Sequence, residues 1–322
     1  MIAPYRPWNI EDTEENMKNI DESRARLHGI FNITVTPFGA DGSIDLAGIA
    51  RSIERVLGLG YDGVLIGGTY GEFPVMSPDE RAGLFRHVMD VVGTRAPVML
   101  CSADSDPRVT RDLSILAGEL GGVPMVMAPY VSEITDAQIL AFFREIAPLS
   151  RTGTIIYNAP GIGITLSPAL IEQLAEVEGI VALKQGDLSV GAIDRIANTL
   201  SGRIRLFCAS DLAFHGPMMN GFDGISTTNS CALPELVLAS FRAIQEGRAH
   251  ESRDLHRLWY SYRALARGMG QPQTVKAAMA LRGFDGGSVR RPLLDLDAGQ
   301  KAAVAEVMRT IAADPRAGFT LA

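Results

Sequence analysis

The sequence predicts an α/β fold, a closed (β/α)8 barrel of the TIM type with a C-terminal helical appendage. Two observations predict it. Eight short apolar runs alternate with longer amphipathic stretches, as in repeated parallel βαβ units. The runs lack a clean polar–apolar alternation, as expected for strands buried on both faces. A count of eight favours closure over an open sheet. Composition agrees: 47% of the 322 residues are hydrophobic and 21% charged, ample for one large core.

Residues 1–27 are polar and charged, with early prolines at Pro4 and Pro7. They read as an N-terminal arm outside the core. The barrel is expected over residues 28–247. Its strands are the runs at 30–35, 63–66, 97–101, 124–127, 154–157, 180–183, 204–208 and 224–226. Helical patterns between them include 46–57, 78–92, 137–147 and 168–175. Two of these have clear start signals. Ser77-Pro78-Asp79-Glu80 and Ser167-Pro168 set a capping side chain before a proline, which has no N–H to leave unsatisfied in the first turn. Residues 248–322 read as a helical region, with helices over 251–266, 272–281 and 298–312.

Several function classes are excluded or disfavoured. A net charge of −7 is wrong for a nucleic-acid binder. No apolar run approaches the length of a membrane span. Three cysteines, Cys101, Cys208 and Cys231, make no disulfide framework. Glu11, Asp12, Glu14 and Glu15 stand where a signal peptide would be apolar, which points to the cytoplasm. The five histidines (His28, His87, His215, His250, His256) show no metal-ligand spacing at strand ends. No metal and no cofactor are expected.

The basic residues carry the sharpest signal. Only Lys18, Lys184, Lys276 and Lys301 are lysines; the other 26 of 30 are arginines. Lys18, Lys276 and Lys301 sit in polar or helical contexts. Lys184 alone ends an apolar strand, in Ile180-Val181-Ala182-Leu183-Lys184-Gln185. The carboxyl end of a barrel strand opens into the active site. Arginine cannot lose its proton, whereas a desolvated lysine can, and then attacks a carbonyl to give a Schiff base. The alternative is a strand-end lysine that reaches water or pairs with Asp187.

Around this lysine the chain resembles the dihydrodipicolinate synthase / N-acetylneuraminate lyase family of pyruvate-dependent class I aldolases and dehydratases. The motifs run in order over about residues 28–310: Val35-Thr36-Pro37-Phe38, Gly67-Gly68-Thr69-Tyr70-Gly71-Glu72-Phe73-Pro74, Tyr157-Asn158-Ala159-Pro160, Ala182-Leu183-Lys184-Gln185, Val275-Lys276-Ala277-Ala278 and Gly287-Ser288-Val289-Arg290-Arg291-Pro292. The resemblance implies a catalytic set of Lys184, Tyr157 and Thr69. Lys184 forms the imine with a 2-keto acid. Tyr157 moves protons, holding its own at neutral pH because a phenol titrates near 10. Gly68, Thr69 and Tyr70 offer backbone N–H groups to the substrate carboxylate, with the Thr69 hydroxyl as a further donor. Asp211 and Ser226 are expected to contact the substrate tail. Glu72 reads as an anchor rather than a base, and His215 as a helix residue. The partner is a small 2-keto acid, and the family's assemblies imply a homo-oligomer, dimer or tetramer.

Some positions depart from the family pattern. The synthase carries an arginine shortly after its Tyr-Asn-x-Pro motif. Here Gly161-Ile162-Gly163-Ile164 follows, and no arginine lies between Tyr157 and Lys184. A second tyrosine after strand four is replaced by Val131, and a second threonine after strand two by Tyr70. These changes argue against a true dihydrodipicolinate synthase. No arginine near the mouth is evident, so carboxylate binding is expected to rest mainly on backbone amides. Ile162 and Ile164 suggest an apolar wall, and Ser226-Thr227-Thr228-Asn229-Ser230 a polar one. The leading expectation is a Schiff-base lyase, aldolase or retro-aldolase. Alternatives are a dehydratase of a 2-keto-3-deoxy sugar acid, and a catalytically silent keto-acid-binding barrel.

Overall fold

The computed structural model describes residues 19–321. Most of the expected arm, residues 1–18, lies outside the described residues; 19–26 are helical. Eight strands follow: β1 (Gly29–Ile33), β2 (Gly63–Ile66), β3 (Val98–Cys101), β4 (Val123–Val126), β5 (Thr154–Asn158), β6 (Ile180–Gln185), β7 (Arg205–Cys208) and β8 (Gly224–Thr227). Each pairs in parallel with the next, and β8 pairs with β1. The expected closed barrel is thus the fold.

The crossovers are α1 (Leu46–Leu59), α2 (Pro78–Val92), α3 (Pro107–Glu119), α4 (Asp136–Ile146), α5 (Pro168–Leu174), α6 (Val190–Leu200), α7 (His215–Met219) and α8 (Pro234–Gln245). Ser77 and Glu80 form a reciprocal capping box at α2, and the Ser167 side chain accepts from Leu170 N at α5. Each cap satisfies amides that a helix start leaves without partners.

Four helices follow the barrel: α9 (Ala249–Leu258), α10 (Tyr260–Met269), α11 (Gln273–Ala280) and α12 (Ala298–Ala312). Here one expectation is corrected. The single helix over 251–266 is two helices, broken at Trp259 (φ −107, ψ 17). Trp259 and Tyr262 are fully buried, so packing of two large aromatics sets the break that periodicity did not reveal. The first strand also ends sooner than expected, at Ile33, whereas β5 and β6 run on to Asn158 and Gln185. That extension is what carries Tyr157 and Lys184 within regular pairing. No helix among the described residues is long and apolar enough to cross a membrane.

Inside the barrel, Phe31 of β1 and Phe207 of β7 meet edge to face with centroids 5.0 Å apart. The neighbouring strands make room with Gly63 and Gly224. A Cβ on Gly63 would lie 2.3 Å from the Phe31 ring.

Candidate active site

Register builds the centre of the site. In the β5–β6 ladder Tyr157 is the Cα partner of Lys184, and Asn158 that of Gln185. The two side chains therefore point the same way, into the mouth of the barrel. Lys184 Nζ stands 4.0 Å from the centroid of the Tyr157 ring. The hydroxyls of Tyr157 and Thr69 share a hydrogen bond of 2.8 Å. Three strand ends, β2, β5 and β6, thus bring Lys184, Tyr157 and Thr69 together.

The next residue of each strand holds them. Asn158 Nδ2 donates to Gln185 Oε1 at 2.9 Å, and Asn158 Oδ1 accepts from Leu166 N at 3.0 Å. These bonds tie β5 to β6 and draw the 159–166 loop over the pocket edge.

Lys184 is 2% exposed. It forms no ion pair among the described residues. Asp187, its sequence-level alternative partner, instead accepts from Ser189 N at 3.0 Å. Burial pushes the lysine down to about 7. Burial also raises the thiols of Cys101 and Cys208, Cys208 to about 12, so at neutral pH they stay protonated and set no charge beside the lysine. Tyr157 is raised by burial, with the Thr69 hydrogen bond pulling the other way. The pair at neutral pH is a half-neutral amine beside a fully protonated phenol.

Thr69, Tyr70 and Gly71 form a 3-10 turn after β2. The first N–H groups of such a turn have no acceptor within it. The turn is fixed from behind. Glu72 follows in a left-handed conformation, φ 62, which a non-glycine residue adopts only when its surroundings hold it. Its Oε1 accepts from Lys276 Nζ at 2.6 Å and its Oε2 from Arg290 N at 2.9 Å. Lys276, read from sequence as lying in a polar or helical context and within one of the family motifs, is buried and also donates to Thr36 O and Ser288 O.

A cavity of about 550 Å³ opens above these groups. Gly68, Thr69, Tyr70, Tyr157, Lys184, Asp211 and Ser226 all line it, so every expected site residue faces one space. Ile162 lines it, but Ile164 does not; that residue packs against the core instead. Asp211 is buried, and both its oxygens accept from Asn229 Nδ2 at 3.0 Å, with Thr227 Oγ1 donating as well. Its acceptors are used within the wall. His215 lies outside the lining; its Nε2 is 2.9 Å from Ser252 Oγ.

Arginine near the mouth, not evident in the sequence, is present in the structure. Arg263 and Arg267 of α10 line the cavity, together with Ala266, Gly270 and Gln271. Their spacing of four residues on one helical face was a signal in the sequence. The break at Trp259, which aims that face at the barrel, was not.

The model of the Dihydrodipicolinate synthetase family matches residues 26–311. A 4-hydroxy-tetrahydrodipicolinate synthase of Acidothermus cellulolyticus is 33% identical over 306 residues, 90% of this chain and 92% of the relative. Among solved structures, a dihydrodipicolinate synthase of Bacillus anthracis is 27% identical, with a TM-score of 0.82 over 88% of this chain and 97% of that one. A prophage protein of the dihydrodipicolinic acid synthase family from E. coli K12, solved in complex with pyruvate, is 25% identical. It superposes with a TM-score of 0.83 over 88% and 98% of the two chains.

Proposed function

The chain belongs to the dihydrodipicolinate synthetase family of class I aldolase-type lyases, and from that premise we propose that it makes or breaks a bond of a 2-keto acid through an imine on Lys184. The observation that carries this reading is a buried lysine without a carboxylate partner, titrating near 7 beside a protonated tyrosine. At pH 7 such an amine is neutral in about half of the molecules, against roughly one in 2,500 for an ordinary lysine. Only the neutral form attacks a carbonyl.

The steps follow from the chemistry of the groups. Lys184 Nζ adds to the keto carbon, and the resulting carbinolamine loses water to give the protonated imine. That cation draws electrons from the bond between C3 and C4. Tyr157 gives its proton to the carbinolamine hydroxyl as that group leaves as water, and the phenolate then takes the proton of the C4 hydroxyl as the C3–C4 bond breaks. An aldehyde is released, and the enamine left behind takes a proton at C3 and is hydrolysed to pyruvate. In reverse, the enamine attacks the aldehyde and Tyr157 donates its proton to the developing alkoxide, with Thr69 holding the phenol in place. The carboxylate of the keto acid is received by the amides that open the Thr69–Gly71 turn. The homo-oligomer implied by the family likeness belongs to the same reading; sedimentation velocity reports it.

Incubation with pyruvate and borohydride, followed by intact-mass and peptide mapping, tests the imine. A single adduct on Lys184 is expected. A folded protein without that adduct, for pyruvate and for longer 2-keto acids, sinks the reading. Product analysis then separates two outcomes of the same imine: pyruvate plus an aldehyde from carbon–carbon cleavage, or a keto acid that has lost water from dehydration. An adduct without turnover on any 2-keto acid identifies a silent barrel.

A further inference from the structure

The wall built by α10 has no part in the imine chemistry, yet it holds the strongest charge in the pocket. Arg263 and Arg267 lie one turn apart on one face, and both line the cavity. Their surroundings differ. Arg263 is 6% exposed and is held by the protein, Nη1 donating to Leu212 O at 3.3 Å and Nη2 to His256 O at 3.1 Å. The charge of Asp211 acts on it. Arg267 stands exposed at the lip and makes no ion pair or hydrogen bond among the described residues. It lies close enough to Tyr70 to counter the rise that burial imposes on that phenol.

The rest of the lining has donors to spare, and the side-chain oxygens of Asp211 and Asn229 are engaged within the wall. Among the described residues Asp211 is the one acidic residue lining the cavity, and its oxygens accept from Thr227 and Asn229. The Asn229 carbonyl accepts from Gln271 Nε2 at 3.0 Å. By contrast the buried hydroxyls of Ser226 and Thr228, and Arg263 Nε, have no partner among the described residues, although all three residues line the cavity. Buried donors left unpaired are costly. A ligand rich in acceptors satisfies them.

We propose that Arg267 receives a second carboxylate at the far end of the substrate tail, so that the keto acid handled here is a dicarboxylate. One unpaired guanidinium balances one added negative charge, and its planar fork matches the two carboxylate oxygens. The first carboxylate is served separately, at the turn after β2. The cation absent from the loop after β5 is thus supplied from a helix outside the barrel. This inference rests on the imine reading for the position of the keto group.

Matched ligand pairs test it: 2-oxoglutarate against 2-oxopentanoate, 2-oxoadipate against 2-oxohexanoate, and 2-oxopimelate against 2-oxoheptanoate. Affinities come from calorimetry on the full chain, alongside saturation of the borohydride-trapped adduct. In at least one pair the dicarboxylate is expected to bind about tenfold tighter or more, and Arg267→Gln to reduce that ratio to about threefold or less. Circular dichroism confirms that the exposed substitution leaves the fold intact. Equal affinity within all three pairs overturns the proposal, and so does a preference that survives Arg267→Gln. Failure of the imine reading looks different: no adduct forms on Lys184 with any keto acid, while an Arg267-dependent calorimetric preference still stands.

Discussion

Lys184 owes its reactivity to where it is buried rather than to a neighbouring cation. Desolvation is the dominant cause of its lowered pKa, and the charged form is what desolvation penalises. Adduct formation with pyruvate should therefore rise with pH, reach half its plateau near pH 7, and stay flat above. Borohydride quenching between pH 5.5 and 9 measures this; a midpoint near 10 would refute the lowered lysine. The same shift bears on stability. The folded pKa lies below the unfolded one, so the folded state sheds its proton first, and stability rises with pH between about 7 and 10.5. Below that window the buried charge is a cost. Lys184→Met, inactive in trapping, should accordingly be more stable than wild type at pH 6, by on the order of a few kcal/mol, read as a higher unfolding temperature. Tyr157→Phe removes the proton donor and should slow turnover by roughly 10²–10⁴-fold. A rate that did not fall would pass the role to Tyr70, whose phenol faces the same cavity. Lys184 was legible in the sequence because an arginine-rich chain kept a lysine at the end of an apolar strand. The partnership of Tyr157 with Thr69 was not legible from spacing, since 88 residues separate them; it needed the barrel, or the family likeness, to bring them together.

At the scale of elements, the turn after β2 depends on helices that follow the barrel. Lys276 of α11 and Glu72 are both almost fully buried and pair at 2.6 Å. Lys276 also holds two backbone carbonyls, Thr36 O after β1 and Ser288 O. Removing one member leaves a buried charge with no counter-charge. Lys276→Met should cost about 3–5 kcal/mol, read as a lower urea midpoint, and should weaken pyruvate binding, because the Glu72 backbone is then no longer held at φ 62. An unchanged midpoint would show that the pair is only incidental to the turn. Glu72 could be read from sequence as an anchor, but its partner could not: the Val275-Lys276-Ala277-Ala278 motif gives no sign that its lysine pairs with a residue 204 positions away. The same limit hid the α10 wall. Arg263 and Arg267 repeat at helical spacing, which alone describes a solvated face equally well. What separates the two cases is the direction of α10, and that is set by the burial of Trp259 and Tyr262, a long-range fact. Strands fared better, since each is a continuous apolar run whose burial on two faces is visible locally.

Across the whole molecule, the barrel divides its work between mouth and interior. Strand ends carry the chemistry, while the layer beneath is filled by Phe31 and Phe207 in contact at 5.0 Å. Phe31 stands one inward position below Ile33, which lines the cavity. Parallel strands closing on themselves leave little space at that level, and glycine at Gly63 on β2 makes room for the ring. A methyl group there would sit 2.3 Å from Phe31 Cε1 and 2.5 Å from Cζ. The ring cannot swing away freely, because Phe207 lies edge-on against it. Gly63→Ala should therefore destabilise the protein by about 1–3 kcal/mol through overpacking, lowering Tm by several degrees. Burial is what lowers the lysine, and Gly63 does not line the cavity that Lys184 faces. The folded variant should then still form its pyruvate adduct with a midpoint near pH 7. Scanning calorimetry and the borohydride pH series on the same preparation decide it. A midpoint that moved in step with the lost stability would mean that interior packing tunes the lysine directly, and that mouth and interior are one cooperative unit.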